Sequence, residues 1–154
     1  MRPDVGIVGA RLYYEDDTVQ HAGVVLGFGG IAGHCFVQQP RSSTGYCHRI
    51  ICAQDYSAVT AACMIVKKEI FDAVGGLSED LQVAFNDIDF CIKVRDYGKL
   101  VVYNPYAELY HYESKSRGWR IRQRRLPAST RRLPRWSSTG RIFFESRTPI
   151  IIQI

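Results

Sequence analysis

The pattern of residues 86–103, NDIDFCIKVRDYGKLVVY, constrains the fold more than any other part of the chain. Its apolar residues recur at helical spacing as far as Tyr97, which predicts a helix with one face packed on a sheet. Gly98 stands where helices commonly end in a left-handed residue. Lys99–Tyr103 follows as a predicted strand that the dipeptide Asn104-Pro105 ends. A helix that packs on a sheet and leads into a strand indicates the α/β class, with a mixed sheet.

Other apolar runs extend this predicted sheet. Three of them read as strands rich in β-branched and aromatic residues, Val5–Tyr14, Val19–Gly27 and Val59–Val66. The first two can pair as a hairpin, and the third is apolar on both faces, which predicts a central position. Lys67–Val74 predicts a short helix that ends at Gly75-Gly76. Ala107–Tyr112 alternates like a short edge strand.

Charge divides the chain into two parts. Residues 1–117 carry 11 Lys and Arg against 14 Asp and Glu, which leaves −3, whereas residues 118–154 carry nine Arg against one Glu, which leaves +8. The first part has enough apolar residues to build one domain. The second part shows no sustained periodicity and is predicted to be a poorly ordered basic tail.

Two classes of protein are disfavoured by composition. No window approaches the about 20 uncharged apolar residues of a membrane span, and the N-terminus has no secretory signal pattern. The five cysteines are odd in number and form no CxxC pair, which argues against a disulfide framework or a zinc site. A cytoplasmic location is therefore expected, with peripheral contact at the inner face of the membrane as the alternative.

Two carboxylates, Asp87 and Asp89, lie within the apolar run VAFNDIDFCI. Burying an acid is costly unless a partner or a function uses it. One interpretation is a helix cap, because Asn86 or Asp87 stands at the predicted helix start. The other is a general base, fixed at the helix N-terminus beside a pocket. His111, in LYHYES, is open to the same two interpretations, an ordinary partly buried histidine or a site residue.

The segments VGIVGARLYYEDDTVQHAGVVLG, GIAGHCF and residues 55–118 together resemble the C-terminal half of a bacterial family 2 glycosyltransferase. The most similar subgroup is the rhamnosyltransferase-like and O-antigen-type enzymes. The resemblance covers nearly all of residues 2–118. It implies a partial GT-A fold, the acceptor-side half of a nucleotide-diphospho-sugar transferase. It also implies inverting transfer of a sugar from a nucleotide-sugar donor to a hydroxyl of a sugar or lipid-linked acceptor.

The resemblance also implies roles for individual residues. Asp87 becomes the catalytic base, in a pair that reads Asn-Asp here where the family usually has Glu-Asp. His111 is placed near the metal and the diphosphate. The residues implied on the acceptor side are Asn86, Asp89, Gly75, Gly76 and Glu79.

The donor-binding half of that family, with its Asp-x-Asp motif for Mg²⁺ or Mn²⁺, has no counterpart in the sequence. We therefore expect the chain to be inactive in sugar transfer alone, and not to bind the metal by itself. Two alternatives stay open. The chain could be an acceptor subunit completed by a separately encoded N-terminal half, or a basic-tailed nucleic-acid-binding or interaction protein.

The tail itself carries a further hypothesis. Codons can be chosen for Trp119–Arg125 (WRIRQRR) that, regrouped in another frame, encode EDTPEK, and residues 148–154 can likewise yield the word DPYYNPN. Relatives in the resembled family commonly continue with these words. The sequence after about Gly118 is therefore interpreted as a frameshifted translation, whose arginines reflect shifted codons and not phosphate binding.

Overall fold

A computed structural model of the chain describes residues 2–78 and 85–112, and three two-residue strands at 135–136, 142–143 and 151–152. The chain divides into two compact units, residues 1–111 and 112–154. The strands of the first unit are β1 (Val5–Tyr13), β2 (Val19–His21), β3 (Val24–Leu26), β4 (Ala32–His34), β5 (Gln54–Asp55), β6 (Met64–Val66) and β7 (Leu100–Tyr110). Its helices are α1 (Lys68–Ala73) and α2 (Asn86–Asp96). The predicted α/β class with a mixed sheet is confirmed for this unit.

The centre of the unit is the parallel pair β1 and β7. The five-stranded sheet runs in the order β2-β1-β7-β5, and β6 pairs with β1 beside β2. Antiparallel neighbours therefore flank a parallel core. Side chains of β1, β7 and α2 fill this core, including the fully or almost fully buried Ile7, Leu12, Phe90, Ile92, Val101 and Tyr103.

Strand β7 is longer than the sequence predicted. The predicted strands Lys99–Tyr103 and Ala107–Tyr112 merge into the single strand Leu100–Tyr110, because the chain continues through Asn104-Pro105. Ala10 pairs with Asn104 and the next residue of β1 pairs with Glu108, so three residues of β7 bulge out of register. A bulge tolerates a proline, whose missing N–H would interrupt a regular ladder. The predicted stop is thus wrong, and the proline marks a bulge.

The predicted central strand Val59–Val66 is also wrong. Within that range, only Met64–Val66 forms a strand, β6. It pairs with β1 alone, and its Ile65 is 68% exposed. A short 3₁₀ turn precedes it, because the Thr60 hydroxyl accepts a hydrogen bond from the Ala62 N–H at 3.3 Å. Val59 is nevertheless fully buried, since it packs against Gly9, where a Cβ atom would lie 2.5 Å from it. Its apolar character reflects packing against the sheet and not a place within it.

The predicted hairpin is confirmed for β1 and β2, which pair antiparallel. The second strand does not continue to Gly27, because it breaks at Ala22-Gly23 and β3 turns away to pair with β4. Gly23 has a φ of +99° and lies against the Tyr56 ring, where a Cβ atom would be 2.6 Å from ring carbons. Only glycine fits this break.

Helix α2 begins differently from the prediction. Its N-cap is Phe85, in a left-handed conformation with a φ of 68° and without a side-chain cap, so neither Asn86 nor Asp87 is the cap. Both lie in the first turn. The end is as predicted, since Gly98 has a φ of +78° and donates its N–H to the Arg95 carbonyl at 2.8 Å.

The second unit contains three short antiparallel strands, in the order β10-β9-β8, where β8 is Arg135–Trp136, β9 is Ile142–Phe143 and β10 is Ile151–Ile152. Most of the predicted tail lies outside the described residues. Within the described part of the chain, no helix combines the length and the apolar character that a membrane crossing requires. All five cysteines are free thiols, and Cys91 is buried.

Candidate functional site

Asp87 lies half-buried in the first turn of α2, with both carboxylate oxygens held by backbone donors. Oδ2 accepts a hydrogen bond from the Ala61 N–H at 3.2 Å, and Oδ1 accepts one from the Ile88 N–H at 3.0 Å. The 3₁₀ turn before β6 supplies the first donor, so two separate elements fix the orientation of the carboxylate. Each oxygen keeps lone-pair capacity for a further donor such as a hydroxyl. The group is therefore oriented and still able to accept a proton.

Asp89 is held by side chains, in contrast. It is 4% exposed, and its Oδ2 accepts a hydrogen bond from the Ser78 hydroxyl at 2.5 Å. The same oxygen forms an ion pair with Lys93 Nζ at 2.9 Å. Lys93 also donates to the Ser78 hydroxyl at 2.6 Å and lies 3.4 Å from the Gly76 carbonyl. This cluster ties the segment after α1 to the body of α2. Its direct effect is to hold the Asp89 carboxylate in place in the first turn of α2.

Gly75 and Gly76 meet a backbone requirement. Their φ values are +77° and +65°, two successive left-handed residues that end α1. A Cβ atom on Gly76 would approach the Phe71 ring to 2.9 Å, whereas one on Gly75 would meet open space. Glu79, the remaining residue predicted in this loop, lies outside the described residues.

Asn86 stands next to the predicted base. Its Oδ1 is buried and has no hydrogen-bond partner among the described residues, which leave out its neighbours 79–84. A buried amide oxygen without a partner is costly, so a partner for Asn86 Oδ1 is expected from outside the described residues.

His111 lies just beyond the end of β7. Its N–H donates to the Tyr13 carbonyl at 3.0 Å, and its Nδ1 is 2.9 Å from Gln20 Oε1. Gln20 Nε2 returns a bond to the His111 carbonyl at 3.1 Å. Because an amide oxygen only accepts, His111 Nδ1 carries the proton and Nε2 is left as the acceptor. That is the tautomer in which a histidine binds a metal through Nε2.

The structure brings some of the predicted site residues together and leaves one apart. Asn86, Asp87 and Asp89 share the first turn of α2, and Lys93 connects that helix to Gly76. His111 is bonded instead to β1 and β2. No group of three His, Cys, Asp or Glu side chains suited to a metal ion occurs among the described residues. His111 could thus supply one ligand, and others would have to come from outside that part of the chain.

A charged cluster at the ends of β1 and β7 was missed by the sequence reasoning. It consists of Arg11, Tyr13, Asp17, Arg41, Glu108 and Tyr110, hereafter the Arg41 cluster. One signal was present, since Arg11 is a charge inside the apolar run VGIVGARLYY. A charge in a buried strand requires partners. Burial raises the pKa of the Tyr13 hydroxyl to about 12, so it stays protonated and donates to Glu108 Oε1 at 3.1 Å.

A histidine pair was likewise missed. His21 on β2 is fully buried, and its Nδ1 is 3.0 Å from Nδ1 of His34 on β4. Burial, with a smaller effect of His34, lowers the pKa of His21 to about 3. The sequence separates the two by a glycine-rich stretch, which gave no sign that they meet.

Comparison with known proteins adds two relatives. An uncharacterized protein of Sinorhizobium fredii, y4gI, is 60% identical over 118 residues, which are 76% of this chain and 13% of that protein. The O-antigen biosynthesis protein RfbC of Myxococcus xanthus is 40% identical over 118 residues, 75% of this chain and 9% of that protein. No family model and no solved structure matches the chain. About three quarters of the chain therefore resembles a small part of two much longer proteins, one of which is named for O-antigen biosynthesis.

Proposed function

We propose that this chain is the acceptor-side part of an inverting glycosyltransferase of family 2 with a GT-A fold, which acts in surface polysaccharide synthesis at the cytoplasmic side of the membrane. The similarity to an O-antigen biosynthesis protein supports the process. The mixed α/β sheet with α2 packed on β1 and β7 is compatible with the fold. The observation that carries the chemistry is Asp87, an oriented carboxylate at the N-terminus of an 11-residue helix.

Asp87 is proposed as the general base. An acceptor hydroxyl gives its proton to the Asp87 carboxylate while its oxygen forms a bond to the anomeric carbon of the donor sugar. The bond from that carbon to the nucleoside diphosphate breaks, and the diphosphate leaves with the electron pair. The two backbone N–H groups from Ala61 and Ile88 keep the carboxylate pointed as it takes the proton. Asn86 and the loop at Gly75 and Gly76 are proposed to line the acceptor side, with Glu79.

The donor would be held largely by residues outside this chain. Mg²⁺ or Mn²⁺, when bound, neutralises charge on the diphosphate leaving group. Nε2 of His111 is the atom of this chain that we propose to face that group. The 118 matched residues cover only 13% and 9% of the two relatives, which supports a donor-binding part in a longer or separately encoded protein. We propose no nucleic-acid partner.

A replacement experiment tests this function. The matched segment of the Myxococcus xanthus protein is replaced by residues 1–118 of this chain, and O-antigen formation is measured in cells that lack the original gene. We expect the chimera to support O-antigen formation and its Asp87→Asn variant not to do so. Glu69→Gln, a change at another acid in the first turn of a helix, is the matched control. O-antigen formed at an unchanged level by the Asp87→Asn chimera would refute the assignment.

The tail is proposed to be a frameshifted continuation. The matches to the two relatives cover 76% and 75% of this chain, so the unmatched part is about as long as residues 119–154. Sequencing the gene across codon 118 tests this directly. We expect the alternative frame to encode the words EDTPEK and DPYYNPN, and their absence would dismiss the proposal.

A further inference from the structure

A second site is expected at the carboxyl ends of β1 and β7. Ligands of open α/β sheets bind in the crevice outside the carboxyl ends of parallel strands, and β1 and β7 are the parallel pair of this sheet. Two loops meet there, since the Arg41 N–H donates to the Asp17 carbonyl at 3.1 Å. Between them lies an open depression of about 540 Å³, lined by Asp16, Asp17, Thr18, Pro40, Arg41 and Ser42.

Arg41 is held rigidly although its side chain is 46% exposed. Its Nη2 donates to Glu108 Oε2 at 2.6 Å, and its Nη1 donates to the Tyr110 hydroxyl at 2.9 Å and lies 3.3 Å from Asp17 Oδ1. Its guanidinium carbon lies 4.7 Å from the centre of the Tyr13 ring. An exposed arginine normally loses conformational entropy when it binds a ligand, and here the fold has already restricted it.

Arg11 lies buried next to Arg41 and holds it in place. It is only 4% exposed, donates from Nη2 to the Arg41 carbonyl at 2.9 Å, and has Nη1 3.5 Å from Glu108 Oε1. Its Nε is buried without a partner among the described residues. A buried guanidinium is expensive unless it is paired. Burying Arg11 therefore costs stability, and its hydrogen bonds fix the loop at Arg41 and the carboxylate of Glu108.

The charges and hydrogen-bonding groups indicate the class of ligand. The charged residues that line the depression are Asp16, Asp17 and Arg41, which leaves a charge of −1 and disfavours phosphates and nucleic acids. Sugar hydroxyls both donate and accept, so they match a site that mixes guanidinium N–H donors with carboxylate acceptors. The 42% exposed Tyr110 offers an aromatic surface for the C–H face of a sugar ring.

We propose that the Arg41 cluster and its depression form a binding subsite for a neutral sugar unit of the acceptor. The part of this proposal that calls the sugar an acceptor rests on the proposed function. The sugar-binding site itself is independent of the proposed function, because it is inferred from the Arg41 cluster and its depression alone. The subsite would hold an acceptor chain while another of its hydroxyls reaches Asp87.

Binding to the full 154-residue chain tests the subsite. Saturation-transfer difference NMR is recorded with a neutral rhamnose oligosaccharide and a neutral mannose oligosaccharide, and inorganic phosphate serves as a competitor. We expect at least one oligosaccharide to bind and phosphate not to displace it. Arg41→Ala and Asp17→Asn should weaken binding about tenfold, since each removes charged hydrogen-bonding groups. Tyr110→Phe keeps the ring and should weaken binding less.

Arg49→Ala is the matched control, because Arg49 is another exposed arginine stacked on a tyrosine, with its guanidinium carbon 5.3 Å from the Tyr56 ring centre. It should leave sugar binding unchanged, and circular dichroism should show that every variant is folded. Three results would overturn the subsite: no binding of either oligosaccharide by the unaltered chain, binding that survives Arg41→Ala and Asp17→Asn, or displacement of the sugar by phosphate.

The subsite and the proposed function can fail separately. Asp87→Asn should retain sugar binding by NMR while it abolishes O-antigen formation by the chimera. Sugar binding that depends on Arg41, together with a chimera that is indifferent to Asp87, would remove the catalytic assignment and keep the subsite. If Asp87→Asn abolishes O-antigen formation but the chain binds neither sugar, the catalytic assignment is kept and the subsite is removed.

Discussion

The first turn of α2 and the carboxyl ends of β1 and β7 both present carboxylates, but they hold them by different means. At α2, Asp87 is fixed by backbone N–H groups, and Asp89 by a lysine one helical turn away. At the strand ends, Glu108 is held by arginines that are 67 and 97 residues away in sequence. One arrangement is local and the other is made by the topology of the whole sheet.

The difference indicates a division of labour. Backbone donors orient Asp87 but leave its oxygens able to accept a proton, as a base requires. Arg11, Tyr13 and Arg41 all donate to the carboxylate of Glu108, which makes it a rigid hydrogen-bond acceptor. This difference supports our two proposals, which place the chemistry at the α2 end and the sugar recognition at the strand ends.

The largest effect that tests this division is expected from Asp87→Asn. An amide has nearly the same shape but does not take a proton at neutral pH, so transfer by an active chimera should fall about a thousandfold. Glu108→Gln, the matching change at the strand ends, should affect the KM for the acceptor more than kcat. Rates measured against acceptor concentration distinguish the two. An equal fall in kcat for both variants would erase the distinction between the regions.

The next effect is on stability and concerns Lys93. Lys93→Met removes the ion-pair partner of Asp89, whose side chain is 6% exposed, and among the described residues leaves this buried carboxylate with the Ser78 hydroxyl alone. We expect the free energy of unfolding in urea to fall by about 3 kcal/mol. The double variant Asp89→Asn with Lys93→Met should recover part of that loss, because no charge is left unpaired. Lys68→Met, at the exposed pair with Asp72, is the control and should cost far less.

These two regions also differ in how far the sequence predicted them. The spacing of Ile88, Cys91 and Ile92 and the glycine at 98 were enough to predict α2, because a helix is a local structure. The Phe85 cap was missed, since a phenylalanine rarely adopts a left-handed conformation and nothing in the local sequence marks it. The Arg41 cluster needed the register of β1 on β7, including the bulge at Pro105, which no local pattern encodes.

The free energy of unfolding is expected to depend on pH through His21, which lies on β2. Its pKa is lowered from 6.5 to about 3 by burial, so the unfolded chain binds a proton there more readily than the folded chain. Stability from this group is complete above pH 6.5 and is lost as the pH falls toward 3. Between pH 7 and pH 5 the free energy of unfolding should fall by about 2 kcal/mol from His21.

The same urea titrations on His21→Gln check this assignment. Glutamine keeps hydrogen-bonding groups of similar reach but has no charge to gain, so the part of the pH slope due to His21 should disappear while other groups still titrate. An unchanged slope between pH 7 and pH 5 in this variant would show that His21 does not control the acid sensitivity of the fold.

The smallest effect compares two adjacent glycines on the approach to α2. Gly75→Ala and Gly76→Ala both force alanine into a left-handed conformation, which costs about 1 kcal/mol each. Gly76 is buried, and the Phe71 ring lies 2.9 Å from where its new methyl carbon would be, whereas Gly75 has open space there. Gly76→Ala should therefore lower the free energy of unfolding by about 1 kcal/mol more than Gly75→Ala. Urea unfolding of both variants measures the difference. If the two lost equal stability, the ring would move aside freely, and the loop at Gly76 would not be held as firmly as its contacts to Lys93 indicate. If Gly76→Ala lowers the free energy of unfolding more than Gly75→Ala, and adding Phe71→Leu restores part of it, the end of α1 is packed as tightly as the first turn of α2.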